Sequence, residues 1–218
     1  YLKRQEKKRW IKIKTEKRLL KIKREKDNEN LYKQRRKGQS QHLIFLGNPG
    51  TGKTEVARVM GEIYKELGVL DKGHFNEYSR KDLVAAYEGQ TALKTKKKID
   101  DSLGGIMFID EAYSLYTGYE DKYGLEAIDT IVKYMEDYRD KFILIVAGYQ
   151  DEMINFLSSN PGLEYRFRKK FVFPDYSDLE LFEIGIKFFK DQALTLSEPA
   201  ETAFKNIIKD KKKNYKLK

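Results

Sequence analysis

Gly47-Asn48-Pro49-Gly50-Thr51-Gly52-Lys53-Thr54 fills every position of the pattern G-x-x-x-x-G-K-[ST]. Glycines at this spacing let a backbone wrap closely around an anion, with successive N–H groups turned inward. Immediately before the string stands an apolar run of strand type, His42 to Leu46. After it, Val56, Val59, Met60, Ile63 and Leu67 repeat at helical spacing. A strand, a glycine-rich loop and the positive end of a helix together make a phosphate cradle. In such a cradle Lys53 reaches the β- and γ-phosphates of a nucleotide, and the Thr54 hydroxyl ligates Mg²⁺. The string therefore predicts a Mg-ATP site whose loop is Gly47, Asn48, Pro49, Gly50, Thr51 and Gly52.

Outward from the loop, short apolar runs alternate with amphipathic stretches. His74 to Tyr78 is expected to be a strand, followed by a capping box of Ser79 and Asp82. Thr91 to Leu103 reads as a helix, Ile106 to Ile109 as a buried strand, and Leu125, Ile128, Ile131, Val132 and Met135 mark another helix. Phe142 to Ala147 is the most apolar strand. A helix follows near Asp151 to Ser158, then an Asn160-Pro161-Gly162 turn and a strand at Phe171 to Phe173. Strands that are apolar on both faces and alternate with helices predict a parallel α/β sheet covered on both sides. Beyond Pro174 only helices are expected, the first opened by a Ser177–Glu180 capping box and the next by Ser197 with Pro199. Three segments result: a basic helical arm at 1–37, an α/β nucleotide-binding domain at 38–176, and the start of a helical small domain at 177–218.

The buried run Ile106 to Ile109 ends in Asp110 and Glu111, 57 positions after Lys53. Acids at the carboxyl edge of such a strand sit where open α/β sheets bind ligands. Asp110 is expected to hold Mg²⁺, mostly through water, and Glu111 to polarise the attacking water as general base.

The net charge of +10 is unevenly placed. Residues 1–37 carry 17 Lys and Arg against 5 acids, and 209–218 carry 6 Lys against one Asp, while 38–208 hold 21 basic and 28 acidic residues. A mildly acidic body with two basic ends argues for appended arms and against a nucleic-acid face spread over the fold. The N-terminal arm, with Trp10 in a narrow apolar stripe, either binds nucleic acid or an anionic surface or packs that stripe on a protein. The absence of Cys excludes disulfides and thiolate chemistry, and two histidines, His42 and His74, are too few for a His-rich zinc site. The longest apolar run, Phe142 to Gly148, falls well short of the roughly 20 residues a membrane helix needs. No leader is visible, although the chain opens on Tyr1 and not on Met, and a cytoplasmic protein is expected.

Beyond the nucleotide loop, longer strings carry a resemblance. They include Gly89-Gln90-Thr91-Ala92, Gly104 to Tyr113, Glu126 to Thr130, Ala147-Gly148-Tyr149, Asn160 to Leu163 and Phe173-Pro174-Asp175-Tyr176-Ser177. With them the chain resembles the AAA+ ATPases similar to stage V sporulation protein K and the red-type Rubisco activase of the CbbX type, from about Leu43 to Pro199. The resemblance implies a P-loop NTPase large domain, a hexameric ring of identical subunits, and use of ATP to thread or remodel a protein partner. It implies that Arg166 is an arginine finger acting on the neighbouring subunit's nucleotide, that Tyr87 is the aromatic of a central-pore loop, and that Tyr149 falls near the first sensor position. The chain departs from the family at Glu88, where an aliphatic residue is usual, and at Glu164-Tyr165, which replaces Arg-Ser. It also ends before the family's second sensor, so the lid is expected to be partial. Tyr113, Tyr116, Tyr119 and Tyr123 surround an acidic loop that is either a second pore loop or a solvated connector. Two other function classes stay open: a nucleotide-gated scaffold with little turnover, and a clamp-loader-type nucleic-acid ATPase, which the acidic body disfavours.

Overall fold

The computed structural model describes residues 41–87 and 89–216, with side chains to residue 211. The basic arm at 1–37 and Glu88 therefore lie outside the described residues. The order is β1 (Leu43–Leu46), α1 (Lys53–Glu66), β2 (Phe75–Tyr78), α2 (Arg80–Leu83), α3 (Thr91–Asp101), β3 (Ile106–Ile109), α4 (Lys122–Asp137), β4 (Ile143–Gly148), α5 (Gln150–Ser158), α6 (Pro161–Arg166) and β5 (Lys169–Val172). A 3₁₀ turn, Ala112–Leu115, follows β3. Two further helices, α7 (Asp178–Asp191) and α8 (Glu198–Lys216), form a separate compact unit that begins at Pro174.

The five strands form one parallel sheet in the order β2-β3-β4-β1-β5. Every residue of β1, β3 and β4 is buried, as strands covered on both faces require. Alternation then sorts their side chains into two cores. Ile44, Leu46, Met107, Ile109, Leu144 and Val146 pack with Ile128, Ile131 and Met135 of α4. Leu43, Phe45, Ile106, Phe108, Ile143 and Ile145 pack on the other face with Ala57 and Met60 of α1. Among the described residues, no helix is long and apolar enough to cross a membrane.

Both expected capping boxes form, at Ser79–Asp82 and Ser177–Glu180. In the second unit, Phe204 of α8 meets Phe182 and Phe189 of α7 at ring-centroid distances of 5.7 and 5.6 Å. Two local expectations are corrected. The Asn160-Pro161-Gly162 stretch is the start of helix α6, not a plain turn: Asn160 Oδ1 accepts from the Gly162 N–H at 2.7 Å, and Pro161 takes the first helical position, where it has no N–H to lose. The last strand begins two residues earlier than expected, at Lys169, because it lies at the sheet's edge with all four residues exposed. An apolar pattern does not mark such a strand.

His42, just before β1, places a buried ring between the aromatic rings of Phe142 and Phe167. Its Nδ1 accepts from the Leu144 main-chain N–H at 2.9 Å, which requires that nitrogen to be unprotonated. Burial pushes the imidazole down to about 4, with Arg166 and Arg139 acting in the same direction and a hydrogen bond to the Met135 backbone opposing them. Below pH 6.5 the unfolded chain binds a proton that the folded chain refuses until about pH 4, so stability falls as pH falls through that window. The full loss from this residue is about 3 kcal/mol at one pH unit per 1.4 kcal/mol. Urea midpoints between pH 7 and 4.5 should therefore drop steeply in the parent. His42→Gln should be less stable at pH 7 and show a flatter dependence; an unchanged slope would discount His42 as the titrating group.

Candidate functional site

At the carboxyl edge of the sheet, β1, β3 and β4 end around a cleft of about 320 Å³. Gly47, Pro49, Gly50, Gly52, Lys53, Thr54, Asp110, Glu111 and Tyr149 line it, together with Glu55 and Gly148. Local chemistry explains how the loop reaches this shape. Gly47 leaves β1 at φ 151° with its Cα so close to the next strand that a Cβ would lie 2.4 Å from the Phe173 carbonyl oxygen. Gly52 caps α1 in the left-handed region at φ 91°, and its carbonyl accepts the first helical hydrogen bond, from the Val56 N–H at 3.0 Å. Asn48 and Thr51 shape the loop without lining the cleft, since the Thr51 hydroxyl donates to the Asn48 carbonyl at 2.8 Å.

Lys53 is 9% exposed, and its ammonium donates to the Gly47 and Asn48 carbonyls at 2.7 and 2.8 Å. Burial pushes its pKa down, while the carboxylates of Asp110 and Glu111 pull it back up. That opposition records how near the two acids stand to the loop, although 57 and 58 positions separate them in sequence. Asp110 Oδ1 accepts from the Glu111 N–H at 3.0 Å, which orients the Asp110 carboxylate at the end of β3. Glu111 itself sits at φ 48°, ψ 46°, a conformation costly for a residue with a Cβ. Next to it, burial and then the Glu111 carboxylate push the Tyr113 phenol up to about 12. The Tyr113 ring packs at 5.8 Å against that of Tyr149, which lines the cleft.

The donor set fits a hard, hydrated cation. The Thr54 hydroxyl and the Asp110 carboxylate face one cleft, and among the described residues no cluster of three or more His, Cys, Asp or Glu could cage a metal. Mg²⁺ suits such a site, because it takes one or two protein oxygens and completes its shell with water and phosphate.

Two of the predicted residues lie elsewhere. Arg166 ends α6, just ahead of β5, whose first residue Lys169 is in register with Leu43 at the start of β1. It therefore stands at the amino edge of the sheet, opposite the cleft. There Nη2 lies 3.2 Å from Glu136 Oε2 and Nη1 donates to the Gly162 carbonyl at 3.2 Å. Tyr87 is 72% exposed on the loop between α2 and α3. The base of that loop is braced: Lys94 Nζ donates to the Val84 carbonyl at 2.7 Å, Thr95 Oγ1 to the Leu83 carbonyl at 3.0 Å, and the Ala85 N–H to Thr91 Oγ1 at 3.1 Å. Glu55 and Gly148 were not anticipated in the cleft. Gly148 carried a signal in the Ala147-Gly148-Tyr149 string, since a Cβ there would meet Met153 and Tyr113 at 2.8 Å.

A nucleotide cleft on a five-stranded parallel sheet defines a P-loop α/β domain. The profile of the ATPase family associated with various cellular activities (AAA) matches residues 43–175, and the chain belongs to that family. It is 53% identical over 170 residues to stage V sporulation protein K of Bacillus subtilis (strain 168), covering 78% of this chain and 53% of that protein. Over 168 residues it is 47% identical to protein CbbX of Cereibacter sphaeroides, covering 77% and 54%. The chain thus spans about half the length of the curated relatives it matches. Among solved structures, the AAA domain of FIGL-1 in complex with ADP aligns with a TM-score of 0.56 at 17% identity, covering 79% of this chain and 55% of that one, a likeness of fold.

Replacing Lys53 by Ala removes the only lysine ammonium lining the cleft among the described residues. A charge-assisted contact is worth about 1.5–3 kcal/mol, so ATP affinity should fall roughly ten- to a hundredfold in a titration. Unchanged affinity would remove Lys53 from the phosphate site.

Proposed function

We propose that this chain is the nucleotide-binding part of an AAA+ ATPase that binds and hydrolyses Mg-ATP in a hexameric ring of identical subunits, and uses the cycle to remodel or thread a protein partner. The observation that carries the proposal is the convergence of Lys53, Thr54, Asp110 and Glu111 on one cleft. Backbone N–H groups of the loop and the Lys53 ammonium bind the phosphates, and Thr54 and Asp110 hold the metal. When bound, Mg²⁺ neutralises charge on the β- and γ-phosphate oxygens. Glu111 orients a water for attack on the γ-phosphorus and accepts its proton. Tyr149, directly after β4, lines the same cleft, which supports a contact with the phosphate end of the nucleotide.

Arg166 cannot serve its own nucleotide from the amino edge of the sheet, which supports a role across a subunit boundary. Its pairing partner Glu136 is half-exposed, and an ion pair of that kind is worth about 1 kcal/mol or less, so exchanging it for a phosphate contact costs little. The exposed Tyr87 on its braced loop supports contact with a polypeptide, in keeping with the ring-and-pore arrangement.

A base that acts only on water affects the transition state alone. Glu111→Gln should therefore keep ATP affinity within a few-fold and lose turnover by about a hundredfold or more; parallel loss of both would make Glu111 structural. Mixing inactive Arg166→Ala and Glu111→Gln proteins tests the finger. Mixed rings contain sites with an intact Glu111 facing an intact Arg166, so part of the activity should return. A mixture that exchanges subunits freely and stays as inactive as either parent would sink the trans assignment.

A further inference from the structure

Arg80 has no part in the chemistry above, yet its guanidinium spans three elements. It opens α2, directly after the Ser79 cap. Nη1 donates to the Ser114 carbonyl at 2.8 Å and to Asp121 Oδ2 at 2.5 Å, and Nη2 donates to Asp121 Oδ1 at 2.9 Å. Asp121 is the N-cap of α4, and its side chain also accepts from the Gly124 N–H at 3.0 Å and from Thr117 Oγ1 at 2.9 Å. With four donors on one carboxylate, led by Arg80, its pKa is held well below the usual range. The corner leaves no slack, since a Cβ on Gly124 would lie 2.1 Å from the Leu115 carbonyl oxygen and 2.6 Å from Asp121 Oδ2.

Ser114 belongs to the 3₁₀ turn Ala112–Leu115, which starts one residue after Glu111. Its carbonyl takes the Arg80 hydrogen bond, and its own N–H donates to the Glu111 carbonyl at 2.8 Å. A direct chain of contacts therefore runs from the Arg80 fork through Ser114 to the backbone of Glu111. That backbone is in the left-handed region, which a glutamate enters only when its surroundings hold it there. The remainder of α4 is fastened independently, because Ala127, Ile128, Ile131 and Met135 are buried in the core. What depends most on the fork is the turn, not the helix.

We propose that Arg80 is a positioning residue for ATP hydrolysis, whose fork on Ser114 and Asp121 holds the turn that presents Glu111 to the cleft. The inference rests on the proposed role of Glu111 as the base. Arg is required over Lys, because only the planar fork reaches the Ser114 carbonyl and both Asp121 oxygens together.

The test is made in the intact protein with Arg80→Ala, Arg80→Lys and Asp121→Asn, each alone and combined with Glu111→Gln. Turnover at saturating ATP, ATP affinity by titration, and amide exchange in the 111–116 segment are measured. Small misplacements of a catalytic group cost up to about a hundredfold in rate. Arg80→Ala should lower turnover roughly ten- to a hundredfold, leave ATP affinity within about threefold, and speed exchange at 111–116. Arg80→Lys should not restore turnover, and neither change should lower the residual rate of Glu111→Gln further. Asp121→Asn keeps an oxygen for the cap and should produce the same pattern more weakly, which preserves the test if Arg80→Ala folds poorly. Unchanged turnover, unchanged exchange, equal loss of affinity and rate, full rescue by Lys, or the same fold-loss in the Glu111→Gln background would each overturn the inference. Failure of the Glu111 role would be visible separately, as full turnover by Glu111→Gln with Arg80 intact, and it would overturn this inference as well.

Discussion

A buried lysine whose ammonium lines the cleft is the constraint around which the site is organised. Lys53 opens α1 inside the fold, so its charge needs oxygen partners at once, and the Gly47 and Asn48 carbonyls provide them. Those carbonyls point inward only because Gly47 passes against the Phe173 carbonyl and Gly52 turns left-handed into the helix. Asp110 and Glu111 then supply opposite charge from the next-but-one strand. Loop shape, strand order and electrostatic balance are one interdependent arrangement. A change in any of them leaves a buried cation without compensation.

The sheet separates two sets of charged residues by its two edges. Residues that line the cleft gather at the carboxyl edge, where β1, β3 and β4 end. Arg166 sits at the amino edge, ahead of β5, beside Glu136 and near the buried ring of His42. In the proposed ring, an edge that cannot serve its own cleft is free to serve a neighbour's. The Tyr87 loop leaves the carboxyl side of β2 and is rooted in α2, the same short helix whose first residue reaches the turn behind Glu111. The exposed Tyr87 loop and the turn behind Glu111 thus share a structural root a few residues long.

Buried polar groups elsewhere are likewise fixed in one charge state by their partners. His42 accepts a main-chain hydrogen bond inside an aromatic cage, at the cost of staying neutral. Asp121 stays charged because an arginine fork, a helix N–H and a hydroxyl all donate to it. The contrast lies in the partners: a buried base beside arginines loses its proton, and a carboxylate facing one keeps its charge.

Much was legible along the chain because it depends on neighbours in sequence. The glycine–lysine string, the two capping boxes, the acids ending an apolar strand and the alternation of strands with helices all act over a few residues, where propensity and periodicity speak directly. Arrangements that join distant positions carried no such signal. Nothing in the order of the strands along the chain states that β1 lies between β4 and β5, yet that placement puts Gly47 against Phe173 and Gly148 into the cleft. His42 reaches Leu144 across 102 positions, and Arg80 reaches Asp121 across 41. The edge strand at Lys169 shows no apolar pattern because its side chains are exposed, and the cap at Asn160, though local, reads equally as a turn from Asn-Pro-Gly alone. Short-range chemistry writes itself into residue spacing, whereas pairing across the sheet is settled only when apolar faces are buried together, a free-energy balance over the whole domain that no local window contains.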